Sequence, residues 1–249
     1  MPIRHTIENG VGEIILDVPP VNALNSQGWA DLAQLISTMG KNEAVHVVIL
    51  AAEGRGFCAG VDIKELAKDG SLITKVNKGC YDTFGAIYDC LVPVISAVHG
   101  FCLGGGIGMV GASDVIIASE DATFGLPEVD RGALGGATHL MRMVGVQKTR
   151  RMMYTGEPIT AQEMYRLGAV ESVVSKDKLR GEARALAQKI SAKSPKAIRL
   201  AKESLNGIEL LDVKQSYRFE QGFTLELYTS KDSAEARDAF VEKREAKFS

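Results

Sequence analysis

An α/β fold is predicted for the first two-thirds of this chain, with an all-helical region after it, and three observations carry the prediction. Short apolar runs at residues 13–17, 45–51, 94–98 and 115–118 alternate with stretches of helical periodicity. Small-residue turns follow two of the strand-like runs, near residues 57 and 101. From about residue 160 the strand signals thin out and helical patterns take over.

Taken in order, the run at 13–17 reads as a buried strand, and Ser26 can cap a helix reaching to about Met39. A second strand at 45–51 precedes a helix over 77–89 that carries Tyr81, Phe84 and Tyr88 at helical spacing. Those rings share one face, which either packs into the core or forms a wall of a pocket. Strands at 94–98 and 115–118 follow, and Thr160-Ala161-Gln162-Glu163 reads as a capping box. Helices are then expected over 179–192, 195–205, 210–229 and 232–246, with Phe219, Phe223 and Leu227 at i, i+4, i+8 on the third. An apolar stripe on a tail without strands must dock on its own core or on another subunit. No low-complexity stretch or linker interrupts the chain, so 1–194 reads as a core and 195–249 as a helical extension of it.

The 249 residues are 45% hydrophobic, enough for a sizeable core, which excludes disorder for most of the chain. A net charge of −2, from 29 basic and 31 acidic residues without a block of either sign, leaves no footprint for nucleic acid or an anionic membrane. A small ligand is the expected partner. Met1-Pro2-Ile3-Arg4-His5 lacks the apolar core of a signal peptide, and no apolar run approaches the ~20 residues of a membrane span, so a cytoplasmic location is expected. Cys58, Cys80, Cys90 and Cys102 lack Cys-x-x-Cys spacing and read as buried thiols. His5, His46, His99 and His139 are scattered, and no metal site is expected.

The chemistry concentrates in two turns, Phe57-Cys58-Ala59-Gly60-Val61-Asp62-Ile63-Lys64 and Phe101-Cys102-Leu103-Gly104-Gly105-Gly106-Ile107-Gly108. Side chains no larger than a methyl at Ala59 and Gly105 let a ligand oxygen approach the main chain. Two N–H donors converging there would form an oxyanion hole for an acyl group. Gly106-Ile107-Gly108-Met109-Val110-Gly111 also matches the dinucleotide pattern G-x-G-x-x-G. The next apolar run begins four residues after Gly111, too soon for a crossover helix of a dozen residues or more, so the dinucleotide reading is set aside.

Over nearly its whole length the chain resembles the crotonase, or enoyl-CoA hydratase/isomerase, superfamily. The resemblance is carried by Asn22-Ala23-Leu24, residues 56–65, residues 95–106 with Ser113-Asp114, Phe124-Gly125-Leu126-Pro127-Glu128, and Ala239-Phe240-Val241-Glu242-Lys243-Arg244. It implies a spiral core of ββα units, a helical tail that builds homotrimers or pairs of trimers, and a coenzyme A thioester as substrate, with no separate cofactor. By position, the amides of Ala59 and Gly105 would hold the thioester oxygen. Val21, Asp62, Ile63 and Lys64 would lie along the nucleotide, with Tyr228 and Lys243 contributing from the tail. Glu128 matches one of the two glutamates that the family's hydratases use; the other position is Gly108, which has no side chain to hold water.

Glu128 is therefore the expected acid/base. Asp130 and Arg131 either form a surface ion pair or reach the acyl pocket beside it, and His139 reads as a buried, hydrogen-bonded residue or as a further catalytic group. An acyl-CoA enzyme that stabilises a thioester enolate is the resulting reading. With one glutamate, moving a proton between carbons is simpler than adding water. Residues 56–65 and 100–140 also resemble an actinobacterial branch that opens a ring of a steroid-derived acyl-CoA by hydrolysis beside a ketone. A non-catalytic scaffold is the third reading, against which the retained Glu128 and both turns argue.

Overall fold

The computed structural model describes residues 2–209, 213–229 and 231–246. Its first hairpin, β1 (Ile3–Glu8) and β2 (Val11–Leu16), turns through Asn9-Gly10, both at positive φ as a tight hairpin requires. β1 carries no apolar run to mark it in the sequence, being an edge strand whose residues are mostly exposed. Helix α1 (Ser26–Lys41) follows, and its cap is Asn25, whose side chain accepts the Gly28 N–H; Ser26, the expected cap, is the first helical residue. Then come β3 (Val47–Ala52), the short α2 (Ile63–Lys68) and α3 (Ile73–Tyr88), which begins four residues ahead of expectation.

The next segment runs β4 (Val94–Val98), β5 (Phe101–Leu103), α4 (Gly105–Ala112), β6 (Val115–Ser119) and β7 (Thr123–Gly125). A 3-10 segment, Pro127–Arg131, leads to α5 (Ala137–Val144), α6 (Val146–Thr155), β8 (Ile159–Thr160), α7 (Ala161–Arg166) and β9 (Ser172–Val174). Thr160 caps α7 through the Glu163 N–H as expected, while the Glu163 carboxylate turns to Lys148 and Arg166. The last helices are α8 (Leu179–Ser191), α9 (Pro195–Ile208), α10 (Val213–Tyr228) and α11 (Lys231–Glu242). The side chains of Phe219, Phe223 and Leu227, the expected apolar stripe, lie outside the described residues.

Two sheets organise the core. The larger has the order β1-β2-β3-β4-β6-β9 and is parallel except for the first hairpin; the smaller, β5-β7-β8, stands beside it. β3 and β4 are buried on both faces, as parallel strands covered by helices are. One face packs against α1 and α3 through Trp29, Ile36, Phe84 and Ile87, while the other receives Leu179, Ala183 and Ala187 of α8. The tail is tied to the core by polar contacts: buried Lys202 of α9 donates to the Ile87 and Val92 carbonyls and to Asp114, and Arg199 donates to the Gly40 carbonyl.

Candidate active site

Two turns that are distant in sequence meet where β3 and β5 end. Asn22 builds the first: its amide donates to the Glu53 and Gly56 carbonyls, each at 2.8 Å, and accepts the Val18 N–H. The Asn22 carbonyl in turn accepts from the Cys58 thiol at 3.0 Å. Burial pushes that thiol up to about 12, so it stays protonated and structural. The backbone of Cys58 then pairs with that of Cys102 in an isolated parallel β-bridge, bringing the second turn alongside the first while both thiols stay free. The approach is close enough that a methyl group on Gly60 would lie 2.9 Å from the Gly105 nitrogen.

Which amides face the ligand is decided by these pairings. The Ala59 N–H donates to the Val21 carbonyl at 3.1 Å, so the donor expected there is committed within the fold. One residue on, β-like pairing with Leu24 uses the Gly60 carbonyl and the Asp62 N–H. The intervening Val61 N–H has no acceptor among the described residues. Gly105 is the first residue of α4, where an N–H lies outside the intrahelical ladder. Val61 and Gly105 thus carry N–H groups without an acceptor among the described residues, and the small side chain at 59 does not mark a free donor.

Glu128 enters from the 3-10 turn, which starts at Pro127 and ends at Gly132 in the left-handed conformation. A methyl group on Gly104 would lie 2.5 Å from Glu128 Oε1, so the carboxylate rests against the glycine turn itself. Side chains three apart eclipse in a 3-10 helix. Arg131 accordingly shares the Glu128 edge and lines the same cleft. Asp130 faces the other way, against Gly156, is exposed and makes no ion pair with Arg131 among the described residues. Both expectations for Asp130, pairing with Arg131 and reaching the pocket, are corrected by this period of three.

The cleft encloses about 310 Å³ between the two turns, α3, the 3-10 turn and the tail helices. Val21, Ala59, Asp62, Ile63, Lys64 and Tyr228 all line it, with Asp62 also capping α2. Lys243 does not: it is exposed, at φ 56, away from the cleft of its own chain. Of the three rings on α3, Phe84 lines the cleft while Tyr81 and Tyr88 do not. Tyr217, Thr224 and Arg237 of the tail are also in the lining and carry no signal in the sequence, because only folding brings the tail over the turns; Ala23 and Val61 line it from the first turn and its partner loop.

His139 lies beneath this site, fully buried, with edge contacts to Phe84 and Tyr217. Neither ring nitrogen has a hydrogen-bond partner among the described residues, so the expected hydrogen-bonded histidine is instead an aromatic packing element. Burial, with the nearby Arg142 charge, brings its pKa down to about 3 and keeps it neutral. The glycines of the dinucleotide-like run are likewise packing positions: side chains at Gly106 and Gly111 would strike the Cys58 and His139 carbonyls. No cluster of three or more metal-ligating side chains occurs among the described residues, and no described helix is long and apolar enough to cross a membrane.

Unpaired backbone donors beside the Glu128 carboxylate, in a largely apolar cleft on a spiral α/β core, suit an acyl group. Residues 6–249 match the enoyl-CoA hydratase/isomerase family, to which this chain belongs. Among its relatives is the (7aS)-7a-methyl-1,5-dioxo-2,3,5,6,7,7a-hexahydro-1H-indene-carboxyl-CoA hydrolase of Rhodococcus jostii, 55% identical over 94% of this chain and 92% of that protein. A protein of the same name from Mycobacterium tuberculosis is 52% identical over 98% of this chain and all of its own length. An enoyl-CoA hydratase/isomerase structure from Xanthobacter autotrophicus superposes with a TM-score of 0.90 at 27% identity, covering 97% of this chain and 93% of that one. The protein is an acyl-CoA enzyme of this family with a spiral α/β core and a helical tail.

Proposed function

We propose that this enzyme opens a ring of a steroid-derived cyclic keto-acyl-CoA by hydrolysing a carbon–carbon bond beside a ketone. The observation that carries the reading is the kinship to two indene-carboxyl-CoA hydrolases over nearly the whole chain; the site is compatible with it, with Glu128 against the glycine turn and the Phe84 ring filling the α4 face at Gly108. The kinship to two hydrolases of an indene-carboxyl-CoA at 52–55% identity supports the substrate class. In this reading the Val61 and Gly105 amides hold the thioester oxygen as negative charge develops there. Glu128 takes a proton from water and later returns it to carbon. Val21, Asp62, Ile63, Lys64 and Tyr228 line the path of coenzyme A, which enters as part of the substrate, and no further cofactor takes part.

The reading also includes a cytoplasmic homotrimer or pair of trimers assembled through the helical tail, supported by the exposed Leu200, Leu205, Phe240 and Val241. The decisive experiment is incubation of the enzyme with a bicyclic diketo-acyl-CoA and, in parallel, with crotonyl-CoA, followed by mass spectrometry. Ring opening adds one water to the bicyclic thioester while coenzyme A stays attached. Release of free coenzyme A would indicate thioester hydrolysis, and faster hydration of crotonyl-CoA would make hydratase the better description.

A further inference from the structure

Arg131 is a guanidinium placed in the cleft without a carboxylate partner among the described residues. One of its nitrogens donates to the Pro127 carbonyl at 2.8 Å, and its Cζ lies over the Phe240 ring, 4.6 Å from the centroid. These contacts fix the side chain and leave further N–H groups for a ligand, since a guanidinium carries five donors. The second arginine in the lining, Arg237, is engaged with the tail: it stacks on Tyr228 at 3.8 Å and donates to Ser233. Arg131 instead belongs to the turn that carries Glu128, one 3-10 turn further on, about 6 Å along the axis.

A cation costs desolvation energy in an apolar cleft and is an obstacle to a purely hydrocarbon acyl chain. It suits an acyl group with an oxygen of its own beyond the thioester. We propose that Arg131 anchors the distal carbonyl oxygen of the acyl group and then the carboxylate that ring opening generates. The inference rests on the ring-opening reading and adds the residue that selects for a second, remote oxygen.

The step balances with water alone. Water oxygen bonds to the ring carbonyl carbon as one of its protons passes to Glu128, and the ketone oxygen becomes an alkoxide paired with Arg131. Collapse re-forms the carbonyl and breaks the adjacent carbon–carbon bond, whose electron pair passes into the enolate conjugated with the thioester, held by the Val61 and Gly105 amides. Glu128 returns the proton to carbon. The new carboxylic acid ionises against Arg131, whose paired N–H groups match two carboxylate oxygens.

The test compares the enzyme with Arg131→Met, which keeps an unbranched apolar side chain and removes the guanidinium, and with Arg131→Lys. Binding of adipoyl-CoA and hexanoyl-CoA is measured by calorimetry, since the two differ in the distal carboxylate. Arg131→Met is expected to lower the preference for adipoyl-CoA by roughly tenfold to a hundredfold, the range of a charge-assisted hydrogen bond, with hexanoyl-CoA binding retained. Arg131→Lys should restore part of that preference, because it returns the charge without the fork. Turnover of the bicyclic diketo-acyl-CoA should fall roughly 10²–10³-fold in Arg131→Met, as for loss of one transition-state donor. An unchanged preference between the two thioesters overturns the assignment. If the parent enzyme leaves the bicyclic substrate intact, the ring-opening reading fails by itself, and the binding comparison still decides whether Arg131 recognises a remote carboxylate.

Discussion

The ring of Phe84 occupies the space that any side chain at Gly108 would need. Phe84 is itself held by edge contacts to Trp29 and His139, so it has little freedom to withdraw. The missing second carboxylate is therefore a packed aromatic surface, and a glutamate at 108 cannot simply be added opposite Glu128. Gly108→Ala is expected to destabilise the fold by about 1–3 kcal/mol through overpacking. Combining it with Phe84→Leu should cost less than the two single changes summed, because the pair shares one volume. Urea denaturation of the four proteins measures the coupling, and strict additivity would show that the ring is not the obstacle.

Glu128→Gln retains shape and hydrogen bonding but removes proton transfer. Turnover should fall by ~10²–10⁴ while binding of a substrate-like thioester persists. Steady-state kinetics together with calorimetric binding separates the two effects; loss of both in parallel would identify a structural role.

Proline substitutions distinguish the two candidate amides of the first turn. Val61→Pro removes the unpaired N–H and should slow turnover by roughly 10²–10³, with the fold intact by circular dichroism. Ala59→Pro breaks the bond to the Val21 carbonyl and should lower thermal stability before it affects chemistry. A folded Val61→Pro enzyme with normal turnover would return the donor role to another amide.

The neutral, buried His139 makes stability depend on pH. Its ordinary value is 6.5, and burial lowers it to about 3 in the fold, so below pH 6.5 the unfolded chain binds a proton that the native protein does not. Stability from this group is complete above pH 6.5 and is lost as the pH falls, by up to about 1.4 kcal/mol per pH unit. Between pH 6.5 and 4.5, before Glu13 and other carboxylates with lowered values contribute, His139→Phe should flatten the slope. His99, also lowered by burial, leaves a residual dependence. Urea midpoints across that interval measure the difference, and parallel slopes would contradict the assignment.

Assembly is tested by light scattering at micromolar concentration, where a trimer or a pair of trimers is expected. Leu205→Glu, at an exposed position on α9, should shift the population toward monomer if the tail forms the contacts. A monomeric parent protein would remove the tail from that role.

The α/β order, the helical tail, the two small-residue turns and Glu128 are legible residue by residue, because strand runs, helix periods and turn residues are encoded locally. The sequence also shows that Gly108 carries no carboxylate. Tertiary structure alone decided which amides remain exposed: Ala59 is satisfied by Val21, a partner brought from a separate loop, so the unpaired donor is Val61. It decided that Phe84, from another helix, fills the face above Gly108. It also set the opposite fates of Asp130 and Arg131, since a 3-10 turn repeats every three residues and places the arginine, not the aspartate, beside Glu128. Hydrogen-bond satisfaction and excluded volume are properties of neighbours in space, which a string of residues does not specify until the chain has folded.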